Sequence, residues 1–176
     1  MVNNIKKILI FTILIIQTIF ISGCENKNEI NTLQGTNVVV SSDIKNVAYI
    51  KNYEVMTCCD EYNIITPLVK NIKNASAYEI YEIDLYDTKS NIIKSNGKLN
   101  VKLTISNELL KSIGNKYEVY KLENNELKKI DSTFDSGIIT FDDTNLGIYT
   151  IVKLGDGNQE LKFTINGCDG TCKTCK

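Results

Sequence analysis

Leu99-Asn100-Val101-Lys102-Leu103-Thr104-Ile105 alternates apolar and polar residues without a break. Successive side chains of a strand point to opposite faces, so one face here is Leu, Val, Leu and Ile and the other is polar. This is the pattern of a strand with one buried and one wet side. Working outward, Tyr81, Ile83 and Leu85 alternate with Glu82 and Asp84 in the same way. Residues 117–122 and 127–130 flank Glu123-Asn124-Asn125-Glu126, which reads as a hairpin turn. Ser136-Gly137 opens residues 138–141, Gly147 opens residues 148–154, and Asn96-Gly97 precedes the Leu99 strand. Turn signals that recur about every ten residues predict an all-β chain folded as an antiparallel β-sandwich. Two segments depart from the period of two. Residues 107–113 read as a short helical turn. Residues 60–74 read either as a helix interrupted at Pro67 or as loop and edge strand, because Pro disfavours helix at the residue before it.

The N-terminus has a different character. Lys6 and Lys7 precede an apolar run over residues 8–21 that only Thr12, Gln17 and Thr18 interrupt. Ile21-Ser22-Gly23-Cys24 follows, and then the polar Glu25-Asn26-Lys27-Asn28-Glu29. A positive start, an apolar middle and small residues before a cut site make a secretory signal. The apolar run is shorter than the ~18–20 residues of an ordinary transmembrane helix. Ile21-Ser22-Gly23-Cys24 resembles the lipobox of bacterial lipoproteins. The resemblance implies that Cys24 receives a diacylglyceryl group on sulfur, that the chain is cut before it, and that the new amine is then acylated. Two or more acyl chains give stable anchoring where one is marginal. The expected organisation is a signal peptide over 1–23, a lipid-anchored flexible tether over 24–37, a β-sandwich domain over 38–155 and a Cys-rich tail over 156–176.

Removing residues 1–23 from the 176 leaves 153, enough for one domain. The removed segment holds two of the 20 basic residues and none of the 21 acidic ones, so the mature chain carries about −3. A nucleic-acid binder would show a basic patch, and beyond residue 23 the one lysine pair is Lys128-Lys129. The chain has no His, no Arg and no Trp. Ser-His-Asp and Cys-His catalysis, histidine metal ligation and bidentate guanidinium clamps are all excluded. No catalytic constellation and no cofactor motif is readable.

Residues 76–153 resemble the immunoglobulin-like β-sandwich modules of Gram-positive surface proteins. The alternating Leu99 strand is followed by a strand with a Val-Tyr pair, Glu118-Val119-Tyr120-Lys121-Leu122. A hairpin then leads into Leu127-Lys128-Lys129-Ile130. Gly137-Ile138-Ile139-Thr140-Phe141 and Leu146-Gly147-Ile148-Tyr149-Thr150-Ile151-Val152 supply the closing strands. These are packing and turn residues and carry no catalytic group. The resemblance implies an immunoglobulin-like sandwich with a scaffold, spacer or adhesive role.

Five cysteines remain beside Cys24: the adjacent Cys58 and Cys59, and Cys168, Cys172 and Cys175 in a C-x₃-C-x₂-C tail. Structural disulfides outside the cell are one reading, and with five cysteines one is left over. A tetrahedral Cys₄ zinc site built from the tail and Cys58 or Cys59 is a second. Thiol–disulfide exchange at Cys172-Lys173-Thr174-Cys175 is a third. Among acidic groups, Asp142-Asp143 with Asn145 reads as a solvated turn sooner than a Ca²⁺ site, since EF-hand spacing is missing. Asp60-Glu61 and Glu79, Glu82 and Asp84 read as the wet face of strands. The expected function is a lipid-anchored, non-enzymatic surface scaffold or binding module, held at the extracytoplasmic side of the cell membrane by covalent lipid. Its expected partner is a cell-wall or host-surface ligand and not nucleic acid. The alternative is an extracytoplasmic thiol or metal-binding protein that uses the cysteine cluster.

Overall fold

The computed structural model of the chain describes residues 31–157 apart from Asp43 and Asn96. The expected signal peptide over 1–23, Cys24 and the three tail cysteines lie outside the described residues. Strand β6 (Leu99–Thr104) is the stretch that alternates, and its burial alternates with it. Leu99, Val101 and Leu103 are fully enclosed while Lys102 and Thr104 face solvent. On this pattern the chain builds two antiparallel sheets. One runs β1 (Asn31–Gln34), β2 (Val38–Ser42), β6, β10 (Ile138–Asp143), β9 (Ser132–Asp135). The other runs β3 (Tyr49–Glu54), β4 (Ala75–Tyr86), β11 (Ile148–Leu154), β7 (Lys116–Glu123), β8 (Glu126–Ile130), with β5 (Ile92–Ile93) beside β4. Every pairing is antiparallel.

The sheets close on each other over one apolar core. Val38, Val40, Leu103, Ile139 and Phe141 of the first meet Ile83, Leu85, Val119, Tyr149 and Ile151 of the second. The expected β-sandwich is present. The two-residue loops between its strands show why the hairpins form where they do. Asn124 and Asn125 both take positive φ between Glu123 and Glu126, and Ser136 and Gly137 do the same between Asp135 and Ile138. Such turns match the right-handed strand twist and favour Asn and Gly.

Three findings depart from expectation. First, β1 lies inside the segment expected to be tether, where Leu33 pairs with Val40 and packs on the core. Four residues in a polar stretch are too short to show a period. Second, of the two readings open for residues 60–74 the helix is the one present, α1 (Asp60–Lys70), and it runs on through Pro67 without the expected interruption. Proline in a helix interior costs about 3 kcal/mol. Ile65 and Val69 are wholly buried on the outer face of the second sheet, each worth about 1.5–3 kcal/mol, and this offsets it. Asp60 and Glu61 in the first turn and Lys70 in the last suit the helix dipole. Third, α1 creates a second apolar layer. Val55, Cys59, Ile65 and Val69 pack against Ala75, Tyr78, Ile80 and Val152, so β4 and β11 are buried on both faces. The other helix, α2 (Asn107–Lys111), falls where the helical turn was expected and is capped by Ser106.

Candidate functional site

The cysteines come first because they carry the chemistry foreseen from sequence. Cys58 and Cys59 sit in a turn closed by the Cys59 amide donating to Met56 O, just ahead of α1. Cys58 is exposed and Cys59 is buried in the layer between α1 and the sheet. Both are disulfide-bonded. A disulfide sulfur is not a thiolate, so in this state neither offers the ligand that a zinc site needs. Among the described residues no group of three or more Cys, Asp or Glu is placed to hold a metal ion.

The acidic residues are placed differently from expectation. Glu79 is not on a wet face. It points into the core, 3 % exposed, accepts the Tyr81 hydroxyl at 2.7 Å and holds the Ser106 amide and hydroxyl at the start of α2. Burial, and then the neighbouring Glu79 charge, push the Tyr81 phenol far above its ordinary value, so it stays a donor. The alternation hid Glu79 in plain sight, since it shares the odd-numbered face with Tyr81, Ile83 and Leu85. Asp60 and Glu61 open a helix, not a strand. Glu82 and Asp84 do lie on the outer, half-exposed face of β4.

Asp143 is held by a lysine of its own chain. Lys121 Nζ lies 2.8 Å from its carboxylate, the Tyr149 hydroxyl donates at 2.7 Å, and the amides of Thr144 and Asn145 donate to the other oxygen. Burial raises the Asp143 pKa, but these donors outweigh it and hold the carboxyl below the ordinary range. The Lys121 ammonium, bonded also to the Asn145 carbonyl, stands where a cation would. Asp142 pairs with Lys98 and Asn100 on the surface. The pair reads as a locked strand end joining the two sheets.

Lys153 is a buried cation that sequence reasoning missed. Its ammonium donates to Leu109 O at 3.0 Å and Leu110 O at 2.7 Å, and lies over the Tyr117 ring. A lysine at an inward position of β11, Ile-Tyr-Thr-Ile-Val-Lys-Leu, is the signal that could have found it. It satisfies carbonyls at the end of α2 and ties that helix to the second sheet.

The concave surface worth naming is an open groove of about 590 Å³ at the corner where β8 turns into β9. Asp131, Ser132 and Thr133 form one wall, and Asn100, Thr140 and Asp142 on the outer face of β6 and β10 form another. Ile130 and Phe141 complete the lining, so the groove offers apolar surface beside its hydroxyls, amide and carboxylates.

No family model matches the chain, and neither a curated protein nor a solved structure is found similar to it. Among the described residues no helix is long and apolar enough to cross a membrane.

Proposed function

We propose that the chain is an exported lipoprotein whose Cys24 carries lipid and whose β-sandwich, an immunoglobulin-like module, is displayed at the cell surface as a non-enzymatic scaffold or binding domain. The observation that carries this reading is the ordered run of Lys6-Lys7, the apolar residues 8–21 and Ile21-Ser22-Gly23-Cys24. The first strand begins at Asn31, seven residues beyond Cys24, so a short spacer separates lipid from domain. Strand and turn residues dominate the domain, and its buried polar groups tie elements together, which supports a structural role. The immunoglobulin-like reading is supported by two antiparallel sheets between which the chain passes repeatedly, at β2–β3, β6–β7 and β10–β11 among others. The groove at the β8–β9 corner, where Asp131, Ser132, Thr133 and Asn100 sit beside Ile130 and Phe141, is the surface proposed to meet a cell-wall or host-surface ligand.

The test is metabolic labelling with a fatty acid in a bacterial host, comparing the full chain with Cys24→Ser, together with protease treatment of intact cells. The expected result is label in the full chain, none in the variant, and cleavage of the labelled protein from outside. An unlabelled full chain, or one protected from external protease, overturns the reading. The alternative thiol function is narrowed by the bonded state of Cys58 and Cys59, which favours disulfides over metal.

A further inference from the structure

We infer that α1 is a redox-sensitive lid on the outer face of the second sheet, latched at Cys58 and Cys59 and released when a dithiol reduces them. Both cysteines are disulfide-bonded, and they stand directly ahead of the helix, with Cys59 at its N-cap. The latch lies where the helix is weakest. Cys59 makes no side-chain cap hydrogen bond, so the first amides of α1 lack the acceptor that Ser, Asp or Asn would supply. An isolated helix is marginal below ~12–15 residues. α1 has 11, and one of them is Pro67, which forfeits an internal hydrogen bond. The helix therefore persists only through what holds it to the sheet.

One hold is apolar. Ile65 and Val69 are wholly buried against Tyr78, Ile80 and Val152, and the Thr66 hydroxyl lies 2.8 Å from that of Tyr78. Asn63, Ile64, Pro67 and Lys70 are exposed on the other side of the helix. The second hold is the covalent one at the helix start, in the turn closed by the Cys59 amide on Met56 O. The sandwich itself does not need the lid. The core shared by the two sheets takes no residue from α1, so the helix can lift while the sheets stay closed. Access decides where release begins. Cys58 is exposed and Cys59 is 4 % exposed. Exchange needs a thiolate to reach a disulfide sulfur, so attack enters at Cys58. For each bond the S–S link breaks, and two electrons and two protons pass from the dithiol to the two cysteine sulfurs. The dithiol is left as a disulfide.

The experiment is amide hydrogen exchange of the native full chain, read by peptide mass, before and after dithiothreitol. Dithiothreitol acts on every disulfide, so the double variant Cys58→Ser, Cys59→Ser without reductant isolates the latch. The expected result is exchange at least about tenfold faster over residues 60–70 in the reduced protein and in the variant, while β6 and β10 keep their protection. Unchanged exchange over residues 60–70 after reduction overturns the inference. So does equal acceleration of α1 and the strands, which would make the disulfides a brace for the whole domain. A variant whose α1 is as protected as that of the oxidised protein overturns it too.

Discussion

Glu79→Ala should be among the most damaging polar substitutions in the sandwich. Its carboxyl accepts the hydroxyl of Tyr81, itself only 2 % exposed, and the amide and hydroxyl of Ser106. A buried donor left without an acceptor costs about 1–3 kcal/mol, and the Tyr81 hydroxyl is such a donor. Ser106 is half-buried and can turn to water, but it also caps α2 by accepting the Leu109 amide, and a disturbed cap costs about 1 kcal/mol. Relief of the carboxyl's own burial offsets part of this. The net expectation for Glu79→Ala is a loss of about 3 kcal/mol. Glu79→Gln keeps one acceptor and should lose about half as much. Urea denaturation of the full chain and of Tyr81→Phe, Glu79→Ala and the double variant measures the coupling. Removing the phenol removes the orphaned donor, so the double variant should fall short of additivity by about 1 kcal/mol. Additive losses, or a Glu79→Ala loss under about 1 kcal/mol, would refute the reasoning.

Three further outcomes follow from particular atoms. Thr150 Oγ1 is buried and has no hydrogen-bond partner among the described residues, so Thr150→Val should raise stability by about 1 kcal/mol in the same urea assay. At Gly114, φ is +116° and an added Cβ would lie 2.1 Å from Leu154 O, so Gly114→Ala should cost at least about 2 kcal/mol and lower the melting temperature. Burial pushes Glu118 up, but hydrogen bonds from Lys129, Tyr120 and Lys116 outweigh it and hold its carboxyl at about 2, against the ordinary 4.5. A lowered folded-state value stabilises above 4.5 and is lost as pH falls from 4.5 toward 2. Melting temperatures of the protein and Glu118→Gln should therefore differ at neutral pH and converge near the acid end of that window.

Much of the sandwich was legible because period-two burial leaves a direct trace. Leu99, Val101 and Leu103 alternate in the sequence and in the structure alike, and the Asn-Asn and Ser-Gly pairs mark two-residue loops. What escaped reading depends on contacts distant in sequence. Helix α1 was one of two readings of its segment, and what decides for it, Ile65 and Val69 packing on Tyr78, Ile80 and Val152 of the sheet, is not local to Pro67. Strand β1 exists because β2 offers an edge. Glu79 and Lys153 look like surface charges by type, yet their partners on α2 turn them inward. Of the candidate site residues, Cys58 and Cys59 were visible as chemistry, but their disulfide-bonded state and the burial of Cys59 alone of the two were not, since both depend on contacts distant in sequence.

The central claim rests on Cys24, and the mass of the N-terminal peptide of the membrane-extracted protein tests it most directly. The lipoprotein reading predicts a chain that starts at Cys24 and carries a diacylglyceryl group on its sulfur. A chain that still begins at Met1, or one that retains a free thiol at Cys24, would contradict it.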